Sequence, residues 1–226
     1  MLTTLADKLD KRHAVLLTVD VQNDFCNPEA FPAKQGGRDV SMHVAMIDGI
    51  LELVDRARCA GVPIIHLQNI EAPWTTSEVM KEQYLRNKAR RTKGKLNFDY
   101  PICAPGSFGA DFYRIKVEPQ DLVVVKHRYS AFIDTELGLV LRSTGRRSLI
   151  FCGGSTNLCL ESTLRDAYMR DYYCVVVGDC APTPWGPEAH RASLENIDLA
   201  FGQAVNLQDV AGVWKARSSS GQTLPA

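Results

Sequence analysis

The feature that most constrains this chain is its regular alternation of short, β-branched apolar runs with longer stretches of helical periodicity. Ala14 to Asp20, Val62 to Leu67, Asp121 to Lys126, Ser148 to Cys152 and Tyr173 to Val177 are apolar runs of strand length. A strand that is apolar at nearly every position buries both faces, as strands do in a parallel sheet covered by helices. Between the first two runs Val44, Ile47, Leu51, Val54 and Arg58 recur at helical spacing, with Asp39 or Ser41 available to cap and Gly61 placed as the C′ residue. The plan repeats from Asp134 through Leu137, Val140 and Leu141 to Gly145, from Thr156 to Asp171, and from Pro187 to Leu199. Strand, helix, strand throughout predicts an α/β fold: a doubly wound, mainly parallel β-sheet flanked by helices.

A chain of 226 residues with 45% hydrophobic side chains supplies one sizeable core, so residues 1–226 are expected to form a single domain with its core from about 14 to 213. The Ser/Gly-rich tail, 217–226, is expected to be disordered. The interval from Asn69 to Pro119 breaks the rhythm. It holds Trp74, a basic cluster (Lys88, Arg90, Arg91, Lys93, Lys95) and a Pro/Gly-rich stretch from Pro101 to Gly109. A connection this long in a compact domain predicts a lid or binding loop, here with a helix over Ser77 to Ala89.

The 26 basic and 26 acidic residues balance, so no overall field favours nucleic acid or an anionic membrane, and a small-molecule partner is expected. There is no run of about 18 apolar residues, and Met1 to Arg12 lacks an apolar signal core, which predicts a cytoplasmic protein. The seven cysteines show no C-x-x-C pairing and no framework spacing, and are expected to be reduced thiols.

Three reactive residue types occupy equivalent positions. Asp20 ends the first strand, Lys126 ends the third, and Cys159 lies just beyond the fourth, at a helix start. In an open parallel sheet the strand C-termini share one edge, where ligands bind, so three separated positions converge without any tertiary information. Taken singly, each has an ordinary alternative. A cysteine is most often a small buried hydrophobe, as Cys152 inside its strand is expected to be; a strand-ending Asp is often a turn residue; a terminal Lys is usually solvated. Together they form a thiol nucleophile near a helix N-terminus and an ammonium, both of which favour thiolate, with a carboxylate to move the proton. Unpaired N–H groups at the helix start would serve an acyl-transfer oxyanion.

These segments resemble the isochorismatase-like cysteine hydrolase superfamily. Val19-Asp-Val-Gln-Asn23 matches its first-strand motif, Lys126 its lysine, and Gly153-Gly-Ser-Thr-Asn-Leu-Cys159 followed by Glu161-Ser-Thr-Leu-Arg-Asp166 its nucleophile segment, in unbroken order from about Ala14 to Val213. The resemblance implies a catalytic triad of Asp20, Lys126 and Cys159, a cis peptide between Gly154 and Ser155, and an oxyanion hole of the Ser155 and Cys159 N–H groups. Nicotinamidase-type members bind a metal through an Asp-x-His pair and a later His; here Asn69-Ile-Glu-Ala-Pro-Trp74 has no histidine, and no metal and no cofactor are expected. True isochorismatases lack the nucleophilic cysteine, so its presence implies amide-type C–N hydrolysis.

The most similar subgroup is the ureidoacrylate amidohydrolases, on Lys126-His-Arg-Tyr-Ser-Ala-Phe132, the Thr156 to Asp166 run, Asn196-Ile197 and Phe201-Gly202. Biuret hydrolases share much of this, but the glutamine they place four residues before the Phe-Gly pair is Ile197 here. The expected substrate is therefore a small ureido, carbamoyl or amide compound, with biuret, N-carbamoyl amino acids and maleamate as alternatives. Asn69 is a candidate to hydrogen-bond it, with Tyr129, Phe25 and Trp74 as candidate walls. The resemblance also implies a homodimer or homotetramer. Two other classes compete. A receiver-type signalling domain is about half as long and needs an acidic pair where Asp20 is followed by Val21; a silent scaffold of the same fold would be expected to lose the triad.

Overall fold

The computed structural model describes residues 1–92 and 101–215, the side chains of 87–92 excepted. The expected disordered tail, Lys93 and Lys95 of the basic cluster, and the side chains of its Lys88, Arg90 and Arg91 lie outside the described residues.

In chain order the elements are α1 (Leu5–Leu9), β1 (Ala14–Val19), α2 (Asn23–Cys26), α3 (Phe31–Lys34), α4 (Ser41–Ala60), β2 (Ile64–Asn69), α5 (Glu78–Thr92), β3 (Leu122–Lys126), α6 (Leu137–Ser143), β4 (Ser148–Gly153), α7 (Glu161–Tyr168), β5 (Tyr173–Val177), α8 (Pro187–Ala200), β6 (Gln203–Val205) and α9 (Leu207–Val213). The strands form one sheet in the order β3-β2-β1-β4-β5-β6, with every pair parallel. The direction of winding reverses between β1 and β4, which pair from Ala14↔Ser148 to Val19↔Gly153. That reversal opens a crevice at the strand C-termini.

Alternation along the strands divides the apolar side chains between two cores. Leu16, Ile64, Ile150 and Val175 pack with α4 and α9 residues such as Ile50, Leu53 and Val210, on one face. Val15, Leu17, Leu149, Phe151 and Val176 pack with Leu137, Leu141, Leu164 and Ile197 from α6, α7 and α8, on the other. Each such Leu or Ile contributes about 1.5–3 kcal/mol by leaving water, and covering both faces is why the strands read as continuous apolar runs.

Differences from the sequence reading lie at element ends. Val40 is the N-cap of α4 and makes no side-chain cap; Asp39 instead accepts from the Ser41 N–H at 2.9 Å. Gly61 closes the helix at φ 71, as its position predicts. The helix expected from Asp134 starts only at Leu137, because Asp134 sits at φ 55. The helix expected from Thr156 to Asp171 is two pieces: a π-turn over Thr156–Leu160 and then α7. β6 was not expected, since three residues are too few to show a period.

Candidate active site

β1 and β3 deliver Asp20 and Lys126 to the sheet edge by register: Asn69 pairs with Lys126, and the Asp20 N–H donates to Leu67 O at 3.0 Å. Asp20 departs from strand geometry at once, at φ 49, a conformation that L-residues other than Asn and Asp seldom adopt. Lys126 Nζ lies 2.8 Å from Asp20 Oδ2, with both side chains out of solvent. Its ammonium also donates to Arg128 O at 3.2 Å. The Asp20 oxygens take no hydrogen bond from other described groups, which leaves their lone pairs to Lys126 and the Cys159 thiol. A buried ion pair of this kind adds little to stability, while an unpaired buried charge costs several kcal/mol, so the two residues need each other.

Cys159 rides on the π-turn after β4 and stays partly accessible, unlike Cys26, Cys103, Cys152, Cys174 and Cys180, which are buried. Its thiol is pushed up to about 12, first by burial and then by the Asp20 carboxylate, against which Lys126 acts only in part. The Lys126 ammonium favours the thiolate, as its position predicts, but burial outweighs it. The Asp20 carboxyl is raised by burial, opposed by Lys126. Burial acts to lower Lys126, yet the Asp20 and Cys159 charges leave it raised. The cluster therefore holds a protonated thiol, an ammonium and a carboxylate with an increased appetite for a proton.

Gly153 ends β4 at φ 87, and a Cβ there would fall 2.3 Å from Val19 O. The cis peptide is found between Gly154 and Ser155. Around it the Gly154 N–H donates to Val19 O at 2.8 Å, Thr156 N–H to Pro182 O at 3.0 Å, and Leu160 N–H to Ser155 O at 3.2 Å. Thr156 Oγ1 donates to Ala181 O and accepts from His190 Nδ1. Below the turn, Glu161 accepts from Ser193 Oγ at 2.5 Å, Asn196 Nδ2 at 3.0 Å and Arg165 Nη2 at 2.6 Å. Thr163 Oγ1 donates to Cys159 O at 2.7 Å and accepts from the Ala131 N–H at 3.1 Å, joining the nucleophile turn to the loop after Lys126.

Asn69 is buried at the same edge, and Gln22 clamps its backbone: Oε1 accepts from the Asn69 N–H and Nε2 donates to Asn69 O, both at 2.8 Å. Phe25, on α2, is half-buried beneath the Arg38 guanidinium, 5.0 Å from its ring centroid. Tyr129 is 39% exposed, in the loop whose neighbour Ala131 bonds Thr163. Trp74 is 82% exposed. Gln22, Arg38, His43, Glu161 and Thr163 were not assigned roles from sequence. Gln22, Glu161 and Thr163 lie inside the quoted motifs; Arg38 and His43 carry no local signal.

Among the described residues no group of three or more His, Cys, Asp or Glu can hold a metal ion. Two of the histidines are engaged elsewhere: His127 Nδ1 donates to Ile70 O at 2.7 Å, and His66 bridges Thr18 and Asp121. The donor set at this edge thus does not fit the metal of the nicotinamidase-type members. No described helix is long and apolar enough to cross a membrane.

Comparison with known proteins gives consistent findings. The isochorismatase domain family matches residues 14–209. The chain is 36% identical over 209 residues to the ureidoacrylate amidohydrolase RutB of Methylobacterium radiotolerans, covering 86% of this chain and 76% of that protein. It is 34% identical over 223 residues to the ureidoacrylate amidohydrolase RutB of Methylorubrum extorquens, covering 93% and 85%. A solved cysteine hydrolase from Pseudomonas syringae pv. phaseolicola superposes with a TM-score of 0.73 at 23% identity, covering 91% of this chain and 93% of that one.

Proposed function

The chain belongs to the isochorismatase-like hydrolase family, and from that premise we propose that it is a cysteine-dependent amidohydrolase that cleaves a C–N bond of a small ureidoacrylate-like compound. The observation that carries this reading is the 2.8 Å pair of Lys126 and Asp20, buried beside the one cysteine of the nucleophile turn.

Asp20 takes the thiol proton as Cys159 Sγ attacks the ureido or amide carbonyl carbon. The oxyanion is held by the N–H groups of Ser155 and Cys159, on the turn that Gly154 shapes. The tetrahedral species collapses: the bond from carbon to the leaving nitrogen breaks, and that nitrogen takes the proton from Asp20. A thioester-type S-acyl enzyme remains. Asp20 then draws a proton from water, the hydroxide oxygen bonds to the carbonyl carbon, and Cys159 leaves with the proton. Lys126 balances the negative charge within one buried site as it passes between the Asp20 carboxylate and the sulfur. Asn69 orients the ureido group, with Phe25 and Tyr129 along the pocket.

The test has two parts. An ammonia-release screen over ureidoacrylate, biuret, N-carbamoyl amino acids, maleamate and nicotinamide should find its best substrate among the ureido compounds. Mass spectrometry of enzyme quenched during turnover should find an acyl or carbamoyl adduct confined to Cys159. Fast turnover with no adduct under any quench would mean direct attack by water, and no release from any compound would mean a silent scaffold.

A further inference from the structure

We infer that Thr163 is a positioning residue: its hydroxyl, in the first turn of α7, ties the carbonyl of Cys159 to the loop that holds the Lys126 ammonium, and so sets where the thiol stands relative to the Asp20 and Lys126 pair. This rests on the amidohydrolase reading and deepens it by naming a group that acts on the reaction without touching the reacting atoms.

The two halves of the site come from distant parts of the chain. Asp20 and Lys126 end β1 and β3, and the loop after β3 completes their pair, since Arg128 O accepts from Lys126 Nζ at 3.2 Å. That loop is a fixed reference. Arg128 Nη1 donates to His127 O at 2.7 Å and to Thr75 O at 2.9 Å, and His127 Nδ1 donates to Ile70 O at 2.7 Å. Cys159 rides on the separate turn after β4. Thr163 Oγ1 joins the two, donating to Cys159 O at 2.7 Å and accepting from the Ala131 N–H at 3.1 Å. Tyr129 O, on the same loop, lies farther off at 3.4 Å. A hydroxyl has one proton and the shorter contact takes it, so the chain of bonds runs from Ala131 N–H through Thr163 to the nucleophile's carbonyl.

A helical threonine commonly turns its hydroxyl back to the carbonyl four residues earlier, and that habit alone says nothing about chemistry. Two observations set Thr163 apart. The carbonyl it holds belongs to the nucleophile, and its own acceptor side is filled by an N–H from 32 residues away, on the loop that caps the ammonium. Thr163 and Ala131 are both wholly buried, so bulk water does not stand in for either bond once the hydroxyl is gone. The loop keeps its bonds to Ile70 and Thr75, so the part released is the nucleophile turn. Attack by Sγ and proton transfer to Asp20 both depend on placement, and a displacement of about 1 Å costs on the order of 100-fold in rate.

The experiment compares, in the full chain, Thr163→Val, which keeps the shape and removes the hydroxyl, with Thr163→Ser, which keeps the hydroxyl. The first readout is ammonia release from 3-ureidoacrylate. Thr163→Val should lower kcat about 10- to 100-fold with KM within about twofold of wild type, and Thr163→Ser should return kcat to within about threefold. The second readout needs no substrate. Alkylation of Cys159 by iodoacetamide at about pH 8, located by mass spectrometry of the digested chain, should slow about tenfold in Thr163→Val as the thiol loses its place beside Lys126, and recover in Thr163→Ser. Urea denaturation gives the folded fraction, and rates are taken per folded molecule; where Thr163→Val does not fold, Thr163→Ala takes its place. A kcat within about twofold of wild type in Thr163→Val, a loss carried by KM, an equal loss in Thr163→Ser, or alkylation that does not slow overturns the inference. The amidohydrolase reading fails separately, through absence of ammonia release by the wild-type enzyme, and the alkylation comparison then still decides the role of Thr163.

Discussion

Burial and the Asp20 carboxylate push the Cys159 thiol up to about 12, so the proposed nucleophile needs the proposed base, Asp20, to remove its proton. Cys159→Ser, whose hydroxyl is a weaker nucleophile, should lower kcat by about a thousandfold or more in ammonia-release assays while leaving urea denaturation almost unchanged. Cys152→Ser should behave in the opposite way. That side chain is wholly buried in β4, and a hydroxyl there should cost about 1–3 kcal/mol of stability while each folded molecule keeps its activity. His43 adds a pH dependence. It is buried with neither ring nitrogen partnered, and burial, reinforced by Arg38 and opposed by Asp39, lowers its pKa from 6.5 to about 3. Between those values the unfolded chain binds a proton that the folded chain refuses. Its contribution to stability is therefore full above pH 6.5 and is lost as pH falls toward 3, by on the order of 4 kcal/mol. Denaturation curves across that window should fall less steeply for His43→Leu than for wild type; equal slopes would sink the idea. Asp20, Lys126 and Cys159 could be read from sequence because each follows directly from a strand end. His43 could not, because its approach to the cis peptide depends on how α4 docks.

The elements around the nucleophile depend on one backbone geometry at the end of β4. Gly153→Ala would have to place a Cβ 2.3 Å from Val19 O at φ 87, and Val19 is itself fixed in β1, so neither side can yield. The variant should lose more than about 3 kcal/mol or fail to accumulate as soluble protein. Gly145→Ala, also at positive φ (64) but with nothing within 4 Å of its Cβ, should cost only about 1 kcal/mol in the same urea titration. The helix expected over 156–171 was legible as a helix but not as two pieces. Nothing in the periodicity of Thr156 to Leu160 separates a π-turn from an α-turn, since the difference is carried by contacts to Pro182, Ala181 and Ser193 far along the chain. β6 escaped because its residues are only half-buried and too few to alternate.

For the molecule as a whole, the sheet, its parallel sense and the shared edge were legible because double-sided burial writes itself into sequence as unbroken apolar runs. The order of strands was not, since any of several orders would bury the same runs. The donor set at the edge predicts that prolonged EDTA treatment leaves the rate of ammonia release unchanged; loss of rate restored by added zinc or manganese would contradict this. The reversal of winding between β1 and β4 has a consequence for dissection of the chain. All strands on one side of that seam, β1 to β3, come from residues 14–126, and all on the other, β4 to β6, from 148–205. Asp20 and Lys126 therefore belong to the first stretch and Cys159 to the second. Severing the chain at the exposed turn of Gly145 would give two fragments, each an incomplete catalyst, and mixing them should return activity with second-order kinetics as the central seam re-forms. The architecture is that of a two-part reporter whose turnover counts the joining of its halves.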